Sequence, residues 1–222
     1  MIHCGFESHL PHQIFCNDMI KLNQKLPEQL GIAVSGGVDS MAALDFVRRK
    51  HTVTAYFFDH DTPTSKAGLK VVRHYCDNSG IPVKVGTYTR DKNPKESLEE
   101  YWRDQRYAWL NQQPDKIITA HHLDDCVETW IWGSLNGNPR LPKAQIKNII
   151  RPFLATTKQD LVDWCKKNSI LYYEDATNTD TRFTRNYIRY ELMPHALKVN
   201  PGLAKVVKKK LVKEYRSYSS IG

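Results

Sequence analysis

The chain has 222 residues, 41% of them hydrophobic and 25% charged, with a formal net charge of +8. That is enough for one domain with a real core, or one and a small appendage. No run approaches the roughly 20 apolar residues of a membrane span. His3, Glu7, His9, His12 and Asp18 break up the first thirty residues, so no secretory leader is expected.

In chain order, Phe15, Met19, Leu22 and Leu26 recur at three- to four-residue steps and predict a helix that Pro27 closes. The apolar run Leu30 to Val34 reads as a buried strand. It ends in the turn Ser35-Gly36-Gly37, and Met41 to Arg49 reads as a helix. Thr52 to Phe58 is a second strand, Ser65 to Asn78 a helix and Val83 to Thr87 a third strand. Residues 96–113 have helical spacing, Lys116 to Ala120 reads as a strand and Leu123 to Leu135 as a helix. After a break at Gly133 to Pro142 come a strand-like Ile149-Ile150, a helix from about Thr157 to Asn168 and a polar loop at 174–181. Helices near 184–193 and 202–216 complete the chain. Strands alternating with helices predict an α/β fold, a Rossmann-like parallel sheet with helices on both faces and a short helical C-terminal part.

Five cysteines (Cys4, Cys16, Cys76, Cys126, Cys165) include no C-x-x-C pair. This argues against a disulfide framework, a zinc knuckle or an iron–sulfur cluster, and for a reducing, cytoplasmic compartment.

Three clusters carry chemistry. Ser35-Gly36-Gly37-Val38-Asp39-Ser40 lies between a strand and a helix, where glycines admit an anion and Ser35, Ser40 and free N–H groups can donate to phosphate. It is neither G-x-x-x-x-G-K-[ST] nor G-x-G-x-x-G. Asp39 fits an anion site if it shares Mg²⁺ with the phosphates; the alternative is a glycine turn with Asp39 and Ser40 as helix caps. The second cluster is His121, His122, Asp124, Asp125 and Glu128, after a buried strand. Asp125 and Glu128 share a helix face, which suits a metal or a cationic amine. Zinc is disfavoured because the H-E-x-x-H spacing is absent. Upstream, Arg103 is expected to pair with Glu99, leaving Arg106 for the site.

The third cluster is the basic end. Residues 1–139 carry 15 Lys and Arg against 17 Asp and Glu, whereas residues 140–222 carry 17 against 7. Arg182, Arg185, Asn186 and Arg189, interleaved with Phe183 and Tyr187, suit phosphate clamping and base stacking. Lys208 and Lys209 add to the same footprint.

Ser35 to Ser40 resembles the S-G-G-x-D-S loop of the ATP-pyrophosphatase (PP-loop) superfamily. With it come Trp102 to Tyr107, A-H-H-L-D-D-x-x-E-T at 120–129, Arg151-Pro152 and E-D-x-x-N-x-D-x-R-F-x-R-N-x-I-R at 174–189. Together, from Leu30 to Pro194, these resemble the tRNA(Ile)-lysidine synthetase family, which is adenine nucleotide alpha hydrolase-like in fold. The resemblance implies adenylation of the wobble cytidine of a tRNA(Ile) with a CAU anticodon, using ATP and Mg²⁺, followed by attack of free L-lysine. It implies that residues 35–40 bind ATP, Asp39 holds Mg²⁺ and Arg106 clamps the intermediate. It further implies that Asp125 and Glu128 bind lysine, His121 is a proton acceptor and Arg182, Arg185, Asn186, Arg189, Lys208 and Lys209 contact tRNA. A catalytic domain over 1–196 with an N-terminal helical extension at 1–29 is expected, then a basic helical tail at 197–222, without the family's further C-terminal tRNA-binding domains. A homodimer or a helper protein would fit that economy. The alternatives are a tRNA thiolase, another PP-loop adenylating enzyme, or an inactive nucleotide- and RNA-binding module.

Overall fold

The computed structural model describes residues 20–174, 181 and 184–219. Its first half alternates β1 (Gln29–Val34), α1 (Val38–Arg48), β2 (Thr52–Phe58), α2 (Pro63–Ser79), β3 (Val83–Gly86) and α3 (Leu98–Asn111). Then come β4 (Ile117–Ile118), α4 (Leu123–Leu135), β5 (Gln145–Ile146), β6 (Ile149–Ile150) and α5 (Lys158–Lys167). The chain ends in α6 (Thr184–Tyr187), a π-helical turn over Ile188–Leu192, α7 (Met193–Val199) and α8 (Leu203–Ser219).

The sheet runs β3-β2-β1-β4-β6-β5, parallel throughout except for the β5–β6 pair. Side chains of a strand alternate between faces, so each apolar strand serves two cores. On one face Leu30, Ile32 and Val34 pack with α1, α2 and α5 through Leu44, Val72 and Leu161. On the other, Ala33, Tyr56, Ile117 and Ile149 pack against Leu110 and Trp109 of α3. Each such fully buried Ile or Leu contributes about 2 kcal/mol of burial. Helices on both faces of a mostly parallel sheet confirm the expected fold class.

The chain leaves β1 for β2 and β3 on one side, then returns to place β4 on the other. Strand order therefore reverses between β1 and β4. Loops leaving the carboxyl ends of these two strands diverge there, which is where an open α/β sheet receives ligands.

Local signals account for the element ends. Thr62 caps α2 by accepting from the Ser65 N–H at 3.1 Å, Pro63 starts it, and Gly80 closes it in the left-handed region at φ 65°. Three expectations need correction. The helix predicted over 15–26 is absent from its described part, residues 20–26. There Lys21 exchanges hydrogen bonds with Thr156 Oγ1 (3.1 and 2.9 Å), and the Asn23 N–H donates to Pro152 O at 2.9 Å. Leu22 and Leu26 pack on the core from this irregular segment, so their spacing reflects burial rather than helix. The strand predicted over 116–120 is reduced to Ile117–Ile118. Residues 184–199 form α6, the π-helical turn and α7, six residues beyond the expected helix. Residues 203–211 do not hang free. Leu203, Val207 and Leu211 share a buried cluster with Leu123, Cys126 and Val127 of α4. Among the described residues, no helix is long and apolar enough to cross a membrane.

Candidate active site

A cleft of about 510 Å³ opens at the reversal point. Its floor is the β1–α1 loop. The Ser40 hydroxyl donates to Gly37 O at 2.9 Å and accepts from the Ser35 N–H at 3.1 Å, which closes the loop on itself. Gly36 has φ 84°, and a Cβ there would lie 2.6 Å from Gly68 O of α2; a Cβ on Gly68 would lie 2.4 Å from Ser35 O. Only glycine at both positions permits this approach. Gly37 is the N-cap of α1 and supplies no side-chain cap. Asp39 and Ser40 thus sit inside the first turn rather than capping it, and its N–H groups, Val38 included, stay available to an anion.

Asp39 does not stand alone. Lys158 Nζ lies 2.6 and 2.7 Å from its two carboxylate oxygens, and His122 Nε2 is 3.8 Å away. Lys158 is a residue that sequence reading left unassigned. Its visible signal was T-x-x-D at 157–160, which here forms a capping box that starts α5.

The second wall is the start of α4. The His122 N–H donates to Asp125 Oδ2 at 3.0 Å, and the buried His122 ring is 3.6 Å from both Asp124 and Asp125. Burial opposes a charge on this ring, but Asp124, Asp125 and Asp39 outweigh it and raise its pKa. His121 goes the other way. Burial, with Arg151, Arg185 and Arg106 nearby, pushes it down to about 3 against the pull of Asp125. Its Nδ1 is 2.8 Å from Thr119 Oγ1, which orients a neutral imidazole toward the cleft that it lines.

Asp125 and Glu128 share the face that their spacing predicts, and both are buried. Arg185 and Arg189, expected to contact RNA, lie here against the acids of α4. Arg185 reaches Asp125 at 2.6 Å and Glu128 at 3.2 Å; Arg189 reaches Glu128 at 2.5 Å and Asp125 at 3.2 Å. The π-helical turn that carries Arg189 aims it back at α4. Burial alone would raise the Asp125 pKa, but His122 and Arg185 hold it well below the usual carboxylate range.

Arg106 of α3 lines the same cleft, with its guanidinium 5.6 Å from the Tyr107 ring centroid. Burial, helped by Arg185 and Arg103, pushes its pKa down. Among the ion pairs of the described residues it has no carboxylate partner. The expected Glu99–Arg103 pair is also absent from them; Arg103 lies over Tyr107 instead, at 5.9 Å. Asn186 lines the cleft, as do His60 and Trp102, whose rings are 5.2 Å apart and which sequence reading did not select. Burial and Arg106 push His60 down to about 4. Lys208 donates to Ala155 O at 2.7 Å, whereas Lys209 is exposed. Arg182 lies outside the described residues.

The family model described as "PP-loop domain" matches residues 12–196. A bifunctional protein TilS/HprT of Listeria monocytogenes is 31% identical over 209 residues, covering 84% of this chain and 32% of its own. A tRNA(Ile)-lysidine synthase of Thermotoga maritima is 32% identical over 192 residues, covering 78% and 46%, respectively. One of Lactiplantibacillus plantarum is 29% identical over 217 residues, covering 89% and 48%. The chain thus spans between a third and a half of the length of these curated relatives. Among solved structures, an NH3-dependent NAD synthetase from Campylobacter jejuni aligns with a TM-score of 0.47 at 13% identity, covering 86% of each chain.

Proposed function

This chain belongs to the PP-loop domain family, and on that premise we propose that it modifies tRNA with ATP, forming lysidine at the wobble cytidine of a tRNA(Ile) with a CAU anticodon. The observation that carries the reading is the meeting, in one cleft, of an uncapped phosphate loop with His121, Asp125 and Arg106. The relatives named tRNA(Ile)-lysidine synthase support the choice of substrates.

Residues 35–40 would receive the triphosphate on the first-turn N–H groups of α1. Among the described residues no cluster of three or more ligating side chains could hold a metal. One carboxylate with phosphate oxygens suits Mg²⁺, and each Asp39 oxygen keeps a lone pair beyond its contact with Lys158, so Asp39 would hold the ion together with the nucleotide, where it would offset phosphate charge. The cytidine O2 attacks the α-phosphorus, and pyrophosphate leaves with the electron pair of the broken P–O bond. Arg106, a cation in the cleft with no acidic partner among the described residues, would clamp the adenylated intermediate. Lysine would then be held as a cation by Asp125 and Glu128, each taking over a contact now made by Arg185 or Arg189 while that arginine turns to RNA phosphate. A lysine amine attacks C2, the C–O bond breaks and AMP departs. His121, neutral and lining the cleft, would hydrogen-bond the incoming amine, and with its lowered pKa would hold the amine proton only in passing to solvent. Arg182, Asn186 and Lys209 would add contacts to the RNA, and Lys208 would add one on releasing Ala155 O.

The thiolase alternative gains no support from the described residues. Cys76, Cys126 and Cys165 are buried, and burial pushes Cys76 up to about 11 and Cys165 to about 12. AMP and pyrophosphate release, measured with ATP, Mg²⁺ and the transcript, tests the first step. Release that needs the RNA and disappears in Asp39→Ala is expected; release that Asp39→Ala leaves intact would remove the phosphate-loop assignment.

A further inference from the structure

Lys158 is built into the phosphate loop from the far side of the sheet sequence. Thr157 and Asp160 fix the start of α5 reciprocally, with the Thr157 N–H donating to Asp160 Oδ2 at 2.9 Å and the Asp160 N–H donating to Thr157 Oγ1 at 3.1 Å. The Lys158 N–H donates to Asp124 Oδ2 at 2.8 Å, which ties the same residue to α4. Its ammonium then lies on both oxygens of Asp39, 119 positions earlier. Among the ion pairs of the described residues, this is the one lysine or arginine that reaches residues 35–40. Both side chains are partly exposed, and an ion pair of that kind adds little to folding stability. The consequence lies in the charge of the loop. An acid in the first turn of α1 repels phosphate, and a compact ammonium at 2.6–2.7 Å cancels it, with a third N–H left beyond the two that face Asp39.

We propose that Lys158 grips the leaving pyrophosphate. Its ammonium, steadied by Asp39, donates to the phosphate oxygens beyond the α-phosphorus and stabilises the charge that grows as the α–β bond breaks. It stays protonated throughout; the electron pair of the broken bond leaves with pyrophosphate. The inference rests on the ATP reading above and adds a residue to it.

Binding of inorganic pyrophosphate and of ATP, each with Mg²⁺, is measured by calorimetry on the full chain as wild type, Lys158→Ala, Lys158→Gln and Lys158→Arg. Lys158→Ala and Lys158→Gln are expected to weaken pyrophosphate about tenfold or more, the range of a charge-assisted hydrogen bond. Lys158→Arg should retain most of the affinity, and lysine affinity should not move. A purely structural pair predicts that any lost affinity in Lys158→Ala comes with a lower urea midpoint and extends to lysine; the phosphate role predicts a loss confined to ATP and pyrophosphate at an unchanged midpoint. Unchanged pyrophosphate affinity in both Lys158→Ala and Lys158→Gln overturns the proposal. Failure of the wild type to bind either ATP or pyrophosphate instead overturns the ATP reading, and this inference with it.

Discussion

The two walls of the cleft are built on different plans. The phosphate wall is local in its backbone, six consecutive residues closed by Ser35 and Ser40 at the end of a strand in register with its neighbour, with Gly68 and Lys158 brought to it from elsewhere. The amine wall is assembled from afar, with Arg185 and Arg189 meeting Asp125 and Glu128 across about sixty residues. The first wall presents unsatisfied N–H groups to a ligand. The second has already satisfied its carboxylates with the chain's own cations, so a ligand ammonium there must exchange partners rather than fill a gap. On the proposed reading, lysine and RNA binding would be coupled, since the arginines that one releases are the arginines that the other takes, and such coupling is reciprocal.

The largest effects should come from breaking the local wall. Gly36→Ala adds a Cβ 2.6 Å from the Gly68 backbone at φ 84°, and should cost about 3 kcal/mol of stability and most ATP binding. Gly68→Ala should do likewise, although alanine in a helix ordinarily stabilises. Urea unfolding of both variants reads this out, and a Gly68→Ala protein as stable as wild type would show that α2 can yield.

Breaking the distant wall is milder. Arg189→Ala leaves Glu128, 2% exposed, with Arg185 at 3.2 Å as its remaining cation, at a cost of about 1–3 kcal/mol. The comparison sharpens if lysine, titrated calorimetrically without RNA, binds Arg189→Ala more tightly than wild type. Equal affinity would mean that the arginines do not compete with the amine.

Acidification separates the groups further. His121 titrates near 3 when folded and near 6.5 when unfolded, so the unfolded chain binds the extra proton between these values. Its contribution is therefore complete above about 6.5 and lost progressively as pH falls toward 3. His60, lowered to about 4, acts the same way, while His122, raised, opposes both. His121→Asn should accordingly lose about 2 kcal/mol less than wild type between pH 7 and 5, measured by denaturant midpoints at the two pH values. Identical losses would contradict a neutral, half-buried His121.

The smallest contrast is on α8. Lys208→Ala loses a bond to Ala155 O and should cost about 0.5–1 kcal/mol. Exposed Lys209→Ala should leave stability alone and weaken RNA binding slightly, seen as a shallower salt dependence in filter binding.

This difference in plan also decides what the sequence shows. β2 and α4 run over the predicted residues, Thr52–Phe58 and Leu123–Leu135, because periodicity and punctuation are local. The phosphate loop was legible for the same reason. Gly68 was visible as a glycine inside a helix, a position that costs stability and so signals a close approach; its partner was not. Lys158 on Asp39, and Arg185 and Arg189 on the acids of α4, depend on which elements the topology makes neighbours, and spacing along the chain carries no trace of that. The segment at 20–26 misled because apolar spacing reports burial, and an irregular stretch bonded to Pro152 and Thr156 buries Leu22 and Leu26 as well as a helix would.

Transfer of labelled lysine to a tRNA(Ile) transcript with a CAU anticodon, in the presence of ATP and Mg²⁺, addresses both walls in one assay. The account expects label in the RNA for the wild type, and none for Asp39→Ala or for Glu128→Gln. AMP and pyrophosphate formed on the transcript without lysine entering it would contradict the amine wall, and label undiminished in Asp39→Ala would contradict the phosphate wall.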